Sequence, residues 1–271
     1  MIRETDYVNF RNTVNGFYKT HKRILPWRQT DDPYKILVSE FMLQQTQVER
    51  VLPKYLEFTE RIPGFSELAR SDLRLVLELW QGLGYNRRAK NLKACAEIVA
   101  DRYNCILPET FEELIELPGI GNYTASALIA FVFNKPVPVI DTNIRRVFIY
   151  SFFPDMIEIH DREIIPLVEK TMDTRNPREW FYALMDYGSF LGKAEKGINH
   201  KSRHYKKQSV FEGSDRQIRG EIIRQLLASG ELAPENISGR SGYELERIND
   251  ALRGLVREGM IAETNGIYRI E

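Results

Sequence analysis

Two carboxylates stand out in this sequence because of what surrounds them. At helical spacing, Glu40 has Ile36, Leu37, Leu43 and Gln44 as neighbours, so it sits beside an otherwise apolar face. A carboxylate there is partly desolvated, which raises its pKa and lets it act as an acid near neutral pH. The plainer alternative is a glutamate at the edge of a buried stripe, reaching solvent. Asp141 follows the extended run Pro136-Val137-Pro138-Val139-Ile140 and stands where the next helix begins. It is a good N-cap there, and a cap holds its carboxylate rigidly. Paired groups of this kind cleave glycosidic bonds: one protonates the leaving group and the other stabilises positive charge on the sugar.

A third signal is Leu117-Pro118-Gly119-Ile120-Gly121-Asn122-Tyr123-Thr124-Ala125, followed by a helix without charged residues. Gly119 and Gly121 allow a tight turn and close approach of backbone N–H groups to an anion. The helix N-terminus behind them adds partial positive charge. Such a hairpin grips a phosphate without a basic side chain; a lone Gly-x-Gly is more often a simple turn between helices. Net charge is zero, with 38 basic and 38 acidic residues, so any nucleic-acid contact rests on local patches. One patch is Lys193–Lys207, where Lys193, Lys196, His200, Lys201, Arg203, His204, Lys206 and Lys207 face the single acid Glu195. Both a solvated loop and a phosphate-binding strip fit that composition.

The elements that must position these residues read as helices. Apolar periodicity predicts Val8–Tyr18, a helix opened by Pro33 and continuing through Val48 and Leu52, then Asp72–Trp80, Arg87–Tyr103, Phe111–Glu116, Asn122–Phe133, Thr142–Phe152, Ile164–Met172 and Glu179–Tyr187. Composition breaks near Ser209–Ser214. Beyond it come a helix at Asp215–Ala228, a helix capped by Ser241 with Glu244 completing a capping box, and a hairpin turning at Asn265-Gly266. Helices closed by a hairpin predict a small winged-helix-like domain. Hydrophobic residues make up 43% of the chain, enough for a core. No apolar run is long enough to span a bilayer, and the N-terminus lacks a signal-peptide pattern. The expectation is a cytoplasmic protein, nucleoid-associated in a prokaryote. The cysteines, Cys95 and Cys105, make neither a disulfide framework nor a metal site.

Together, Leu25-Pro26-Trp27-Arg28, Ser39-Glu40-Phe41-Met42-Leu43-Gln44-Gln45-Thr46-Gln47-Val48, Trp80-Gln81-Gly82-Leu83-Gly84-Tyr85, the hairpin and Val139-Ile140-Asp141-Thr142-Asn143 resemble the helix–hairpin–helix DNA glycosylases. Within them they look most like the A/G-specific adenine glycosylases. The resemblance implies a mainly α fold: a two-lobed core over 1–208, with 24–134 as one lobe and 1–23 plus 135–208 as the other, and a winged-helix-like domain at 209–271. Glu40 and Asp141 would face each other across a DNA cleft. It implies that Glu40 protonates the adenine and helps position water, that Asp141 stabilises the oxocarbenium-like state, and that Asn143 supports the catalytic water. Gln45 would wedge into the base stack and Tyr85 lie near the flipped site, offsetting the cost of extrusion. Bifunctional relatives carry a lysine where this chain has Tyr123, which forms no Schiff base; base removal without strand cleavage follows. Gly119, Gly121, Lys201 and Lys206 would contact DNA.

The usual adenine glycosylase has four cysteines after Met-Asp-x-Gly, holding an iron–sulfur cluster. Met185-Asp186-Tyr187-Gly188 is present, with no cysteine after it. No cluster is expected, the basic stretch stands in its place, and a structural cation at the hairpin is compatible with the resemblance. The usual C-terminal domain, which reads 8-oxoguanine, is replaced by the winged-helix-like segment, and Asp-Thr-Asn stands for the common Asp-Gly-Asn. The expected partner is duplex DNA with a mispaired or damaged base, bound by a monomer. The expected substrate is adenine opposite G or 8-oxoguanine, with a mismatch thymine or uracil glycosylase as the alternative. A non-catalytic DNA-binding module and a winged-helix regulator are the readings from other classes.

Overall fold

The computed structural model describes residues 2–207 and 210–271. In chain order the elements are α1 (Glu4–His21), α2 (Pro33–Leu43), α3 (Val48–Arg61), α4 (Phe65–Arg70), α5 (Leu73–Trp80), α6 (Arg87–Arg102), α7 (Phe111–Glu116), α8 (Asn122–Phe131), α9 (Thr142–Phe152), α10 (Asp161–Thr171), α11 (Pro177–Ala194), α12 (Asp215–Ser229), β1 (Glu231–Leu232), α13 (Pro234–Ser241), α14 (Leu245–Arg257), β2 (Ile261–Thr264) and β3 (Ile267–Ile270). Among the described residues, no helix is long and apolar enough to cross a membrane. The fold is mainly α, as expected, with a small C-terminal sheet.

Local chemistry accounts for most helix boundaries. Pro33 opens α2 at the position where a missing N–H costs nothing. Asp72 caps α5 by accepting from the Leu75 amide at 2.7 Å. The expectation of one long helix from Pro33 through Leu52 is corrected. The chain breaks after Leu43 and restarts at Val48, with Gln45 in the left-handed region at φ 54°. Apolar spacing runs on through the break, so periodicity does not reveal it. The Ser241 capping box is also corrected. Ser241 ends α13, and Glu244 precedes α14 without a side-chain cap. The Asn265-Gly266 hairpin forms as expected. Both residues take positive φ, 51° and 77°, the geometry that matches the twist of the flanking strands. The antiparallel sheet has the order β1-β3-β2.

The chain forms two compact units. The first comprises 1–36, 109–116 and 120–207, and the second 37–108, 117–119 and 208–271. These differ from the expected lobes in three ways. Residues 24–36 fall in the first unit rather than with 37–108. The first unit takes in α7 and α8, because uncharged α8 buries its apolar side chains there, with Phe131 4.9 Å from the Tyr182 ring of α11. Phe10 of α1 meets Phe148 and Phe152 of α9, each at 5.0 Å, in the same core. The second unit takes in the C-terminal segment, whose expected boundary at 208/209 lies outside the described residues. Two cations tie that segment to the helices of 37–108. The Arg74 guanidinium donates to the carbonyls of Leu226 and Leu227 at the end of α12. The Lys90 ammonium donates to Glu258 O at 2.5 Å and Gly259 O at 2.7 Å, just past α14. Carbonyls at helix C-termini carry partial negative charge, so both contacts are favourable.

Candidate active site

In the second unit, Glu40 lies on α2 and is buried, at 7% exposure. The desolvation read from its apolar neighbours is therefore present. The end of this helix is held from outside. Arg88 is itself buried, at 8%, and donates to the carbonyls of Phe41 (2.8 Å), Met42 (2.9 Å) and Gln44 (2.7 Å). Its other branch donates to Thr46 Oγ1 at 3.0 Å, Gly84 O at 2.9 Å and Leu83 O at 3.4 Å. One guanidinium thus closes the last turn of α2, the 44–47 turn and the 83–85 turn together. Burial pulls its pKa down to about 10, so it remains charged at neutral pH. Gln45 is exposed on the first of these turns and Tyr85 half-buried on the second, both at positive φ, 54° and 49°. Backbone in that region is strained for a side-chain-bearing residue and persists where its surroundings over-determine it.

Sequence reasoning missed Arg88. The available signal was a charged residue on the stripe Arg88, Ala89, Leu92, Cys95, Ala96 and Val99, all buried on α6.

The hairpin glycines differ from each other. Gly119 has φ +80°, and a Cβ there would come within 2.7 Å of Phe41 Cε1 and 2.8 Å of Asn91 Cβ. It is required by both conformation and space. Gly121 caps α8 with φ −98° and ψ 179°, ordinary extended backbone, and faces open space. The tight turn expected of both is therefore a property of Gly119. Tyr123, half-buried, is the second residue of α8.

In the first unit, Asp141 caps α9. Its Oδ1 accepts from the Ile144 amide at 2.6 Å and its Oδ2 from Asn143 Nδ2 at 3.1 Å. Burial pushes the Asp141 carboxyl above the usual carboxylate range, while those two bonds pull it back. Arg146 completes the set. Its Nη1 donates to Asn143 Oδ1 at 2.9 Å and to Gly188 O at 2.6 Å. Gly188 and Gly192 make room on α11. A Cβ on Gly188 would overlap the Asn143 carbonyl, and one on Gly192 would lie 2.6 Å from Arg146 Nη1. Asp186, two residues before Gly188, is buried and paired with Arg23 at 2.5 Å and Arg28 at 2.9 Å, which anchors α11 to the segment before α2.

The basic stretch divides. Lys201 donates to Pro154 O at 2.5 Å, Arg203 pairs with Glu158 at 2.7 Å, and His204 lies 3.8 Å from Asp161. These three brace the 154–161 loop, whereas Lys206 is exposed. Among the described residues, no group of three His, Cys, Asp or Glu is placed to hold a metal ion.

Residues 38–164 match the model of the HhH-GPD superfamily of base excision DNA repair proteins. The adenine DNA glycosylase of Mycobacterium tuberculosis strain H37Rv is 33% identical over 82% of this chain and 80% of its own length. The chain belongs to the adenine DNA glycosylase family. The Buchnera aphidicola adenine DNA glycosylase from Baizongia pistaciae is 38% identical over 69% of this chain, and the chain spans only 54% of that relative. A solved thermostable thymine-DNA glycosylase superposes with a TM-score of 0.64 at 26% identity, over 72% of this chain and 91% of that one. An endonuclease III solved in a non-covalent complex with DNA superposes with a TM-score of 0.59 at 18% identity, over 72% and 90%; that likeness shows the fold alone. The matched region of this adenine glycosylase relative holds Glu40, Gln45, Tyr85, Gly119, Gly121, Tyr123, Asp141 and Asn143. Gly188 and the C-terminal segment lie outside it.

Proposed function

We propose that this protein binds duplex DNA, extrudes an adenine mispaired with G or 8-oxoguanine, and hydrolyses its glycosidic bond without nicking the strand. The observation that carries the reading is the buried Glu40 carboxyl on a helix whose last turn Arg88 fixes. A protonated carboxyl in such a setting delivers its proton to the departing base while the C1′–N bond breaks and its electron pair leaves with the base. The Asp141 carboxylate, oriented by the Ile144 amide and Asn143, offsets the positive charge developing on the sugar. Water then adds to C1′ and returns a proton to the Glu40 carboxylate.

Tyr123 supports hydrolysis over lyase chemistry, since a phenol forms no Schiff base. The donor set does not fit an iron–sulfur cluster. Cys95 is buried in α6 with its thiol pushed up to about 12 by burial, Cys105 is on a loop, and no cysteine follows Asp186. No step is routed through such a group. The helix-and-sheet order α12, β1, α13, α14, β2, β3 supports the winged-helix-like reading of the C-terminal segment.

The test is a panel of duplexes with A, T or U opposite G, 8-oxoguanine or C, followed by alkali to reveal abasic sites. Adenine release is expected, with no borohydride-trapped protein–DNA adduct. No product on any duplex sinks the proposal, and a Glu40→Gln variant as active as the parent sinks the assignment of the acid.

A further inference from the structure

Aromatic rings of α1, α9 and α11 form a strip on the surface of the first unit. At the α1 end the His21 ring stacks on Phe17, with centroids 4.4 Å apart and planes 6° from parallel. Phe17 then meets Phe190 of α11 at 5.0 Å and Tyr187 at 5.2 Å. Tyr187 and Phe190 lie 6.3 Å apart with planes 15° from parallel. Tyr150 of α9 extends the row: burial raises the pKa of the Tyr187 phenol, and the neighbouring Tyr150 raises it further. Packing within the unit leaves much of this surface uncovered. Phe190 is 47% exposed and Tyr150 45%, and His21 is exposed.

Position and charge choose the occupant. Tyr187 precedes Gly188, where a Cβ would overlap the Asn143 carbonyl. Tyr150 stands two turns beyond Asn143 on α9, about 10 Å along the axis. The strip thus leads away from the Asp141–Asn143 cap. Its surroundings are basic. α9 carries no acidic residue, and α1 carries none after Asp6. On α11, Asp186 is buried and paired with Arg23 and Arg28, and Glu179 is paired with Lys22. Lys193 is exposed one turn after Phe190, and Arg146 lies one turn before Tyr150. A second copy seated on the same surface would bring these cations face to face. An anionic chain carrying flat groups fits instead. Bases in a duplex are stacked on one another, whereas unpaired bases offer their faces to aromatic side chains in a basic groove.

We propose that this strip binds single-stranded DNA, with bases stacked on Tyr150, Phe190 and His21 and a phosphate beside Lys193. The choice of DNA rests on the base-excision reading above, because the strip starts beside the carboxylate assigned to the sugar. It gives the protein a grip on unpaired strand next to that carboxylate, separate from its duplex contacts.

The test measures binding of a labelled oligothymidylate to the full chain by fluorescence anisotropy at low salt. This probe carries no mispair and no purine, so the readout needs no cleavage. Phe190→Leu and Tyr150→Leu keep apolar bulk and remove the flat face, and each should weaken binding about fivefold or more. Phe190→Tyr and Tyr150→Phe keep the rings and should bind like the parent. Lys193→Gln should lower the salt-dependence slope by about 0.7. Circular dichroism melts identify the folded variants; if Phe190→Leu melts early, Tyr150→Leu decides. A parent that ignores the probe overturns the proposal, as does a folded leucine variant that binds like the parent. Sedimentation showing a dimer that Phe190→Leu dissolves assigns the strip to a second copy and overturns it as well. Probe binding that the leucine variants lose, with no adenine release from any duplex, would count against the proposed function alone.

Discussion

Replacing Arg88 by methionine keeps the apolar stem and removes every donor. The acceptors left behind are the carbonyls of Phe41, Met42, Gln44, Leu83 and Gly84 and the Thr46 hydroxyl. Hydrogen bonds to a charged group are worth about 1.5–3 kcal/mol each. They share one guanidinium and do not add, and the cost of burying that charge is recovered on removal. A buried acceptor left unsatisfied costs about 1–3 kcal/mol, so two or three of these that find no other donor cost about 3–5 kcal/mol together. For a chain of this size that lowers the melting temperature by about 6–20 °C. Arg88→Lys keeps the charge but supplies a point donor in place of the fork, so it should recover only part of the loss. Circular dichroism melts of the parent and both variants measure this, with single-turnover adenine release below the transition. Release should fall in both variants, because the turn carrying Gln45 and the turn carrying Tyr85 lose their common anchor. An Arg88→Met protein melting within about 3 °C of the parent, below the smallest shift the network allows, would refute the reasoning.

The pKa of Asp141 is raised in the folded state, so the folded protein binds more protons there than the unfolded chain. Its contribution to stability is fully present below the ordinary carboxylate value and is lost as pH rises through the raised one. Asp141→Asn keeps a capping acceptor and removes the buried charge. It also loses the bond from Asn143 Nδ2, so the readout is the pH dependence: its melting temperature relative to the parent should rise from acid to neutral pH, while adenine release falls about 100-fold or more; a difference that does not change with pH contradicts the burial argument. Gly188→Ala forces α11 away from the Asn143 carbonyl. It should cost about 1–3 kcal/mol in urea unfolding and reduce release by disturbing the Asp141 cap. Unchanged stability would mean that the close approach is not required. Lys206→Glu should weaken duplex binding and lower the salt-dependence slope by about one without changing the melting temperature. Lys201→Glu, which also breaks the bond to Pro154 O, should lower that temperature, and equal melting of the two variants would contradict this division of the basic stretch.

Signals confined to a few neighbouring residues are legible in the sequence alone. Pro33 marks the start of α2, Asp141 the cap of α9, Asn265-Gly266 the terminal hairpin, and the Leu117–Ala125 string the helix–hairpin–helix. Each depends on backbone chemistry within one turn, where the sequence neighbour is also the spatial neighbour. Glu40 and Asp141 are legible for the same reason: a carboxylate among apolar residues, or at a helix start, is defined by residues three or four positions away.

What the sequence leaves open depends on partners far along the chain. The break between α2 and α3 is stabilised by Arg88, more than forty residues later, so the apolar stripe reads straight through it. Arg146 looks like any polar helix residue until Gly188, 42 residues on, accepts its hydrogen bond. Lys201 and Lys206 read as equivalent charges until Pro154 takes one of them. The C-terminal segment reads as a separate module, and contacts made by Arg74, Lys90 and the Tyr85–Arg216 pair, far apart along the chain, join it to the helices of 37–108. The sequence by itself determined most of the helices, the Asp141 cap, the terminal hairpin and the local settings of the two carboxylates, because their energetics are local. Tertiary structure alone decided which cations are spent on which carbonyls, because a long side chain chooses among acceptors only after distant segments have packed around it.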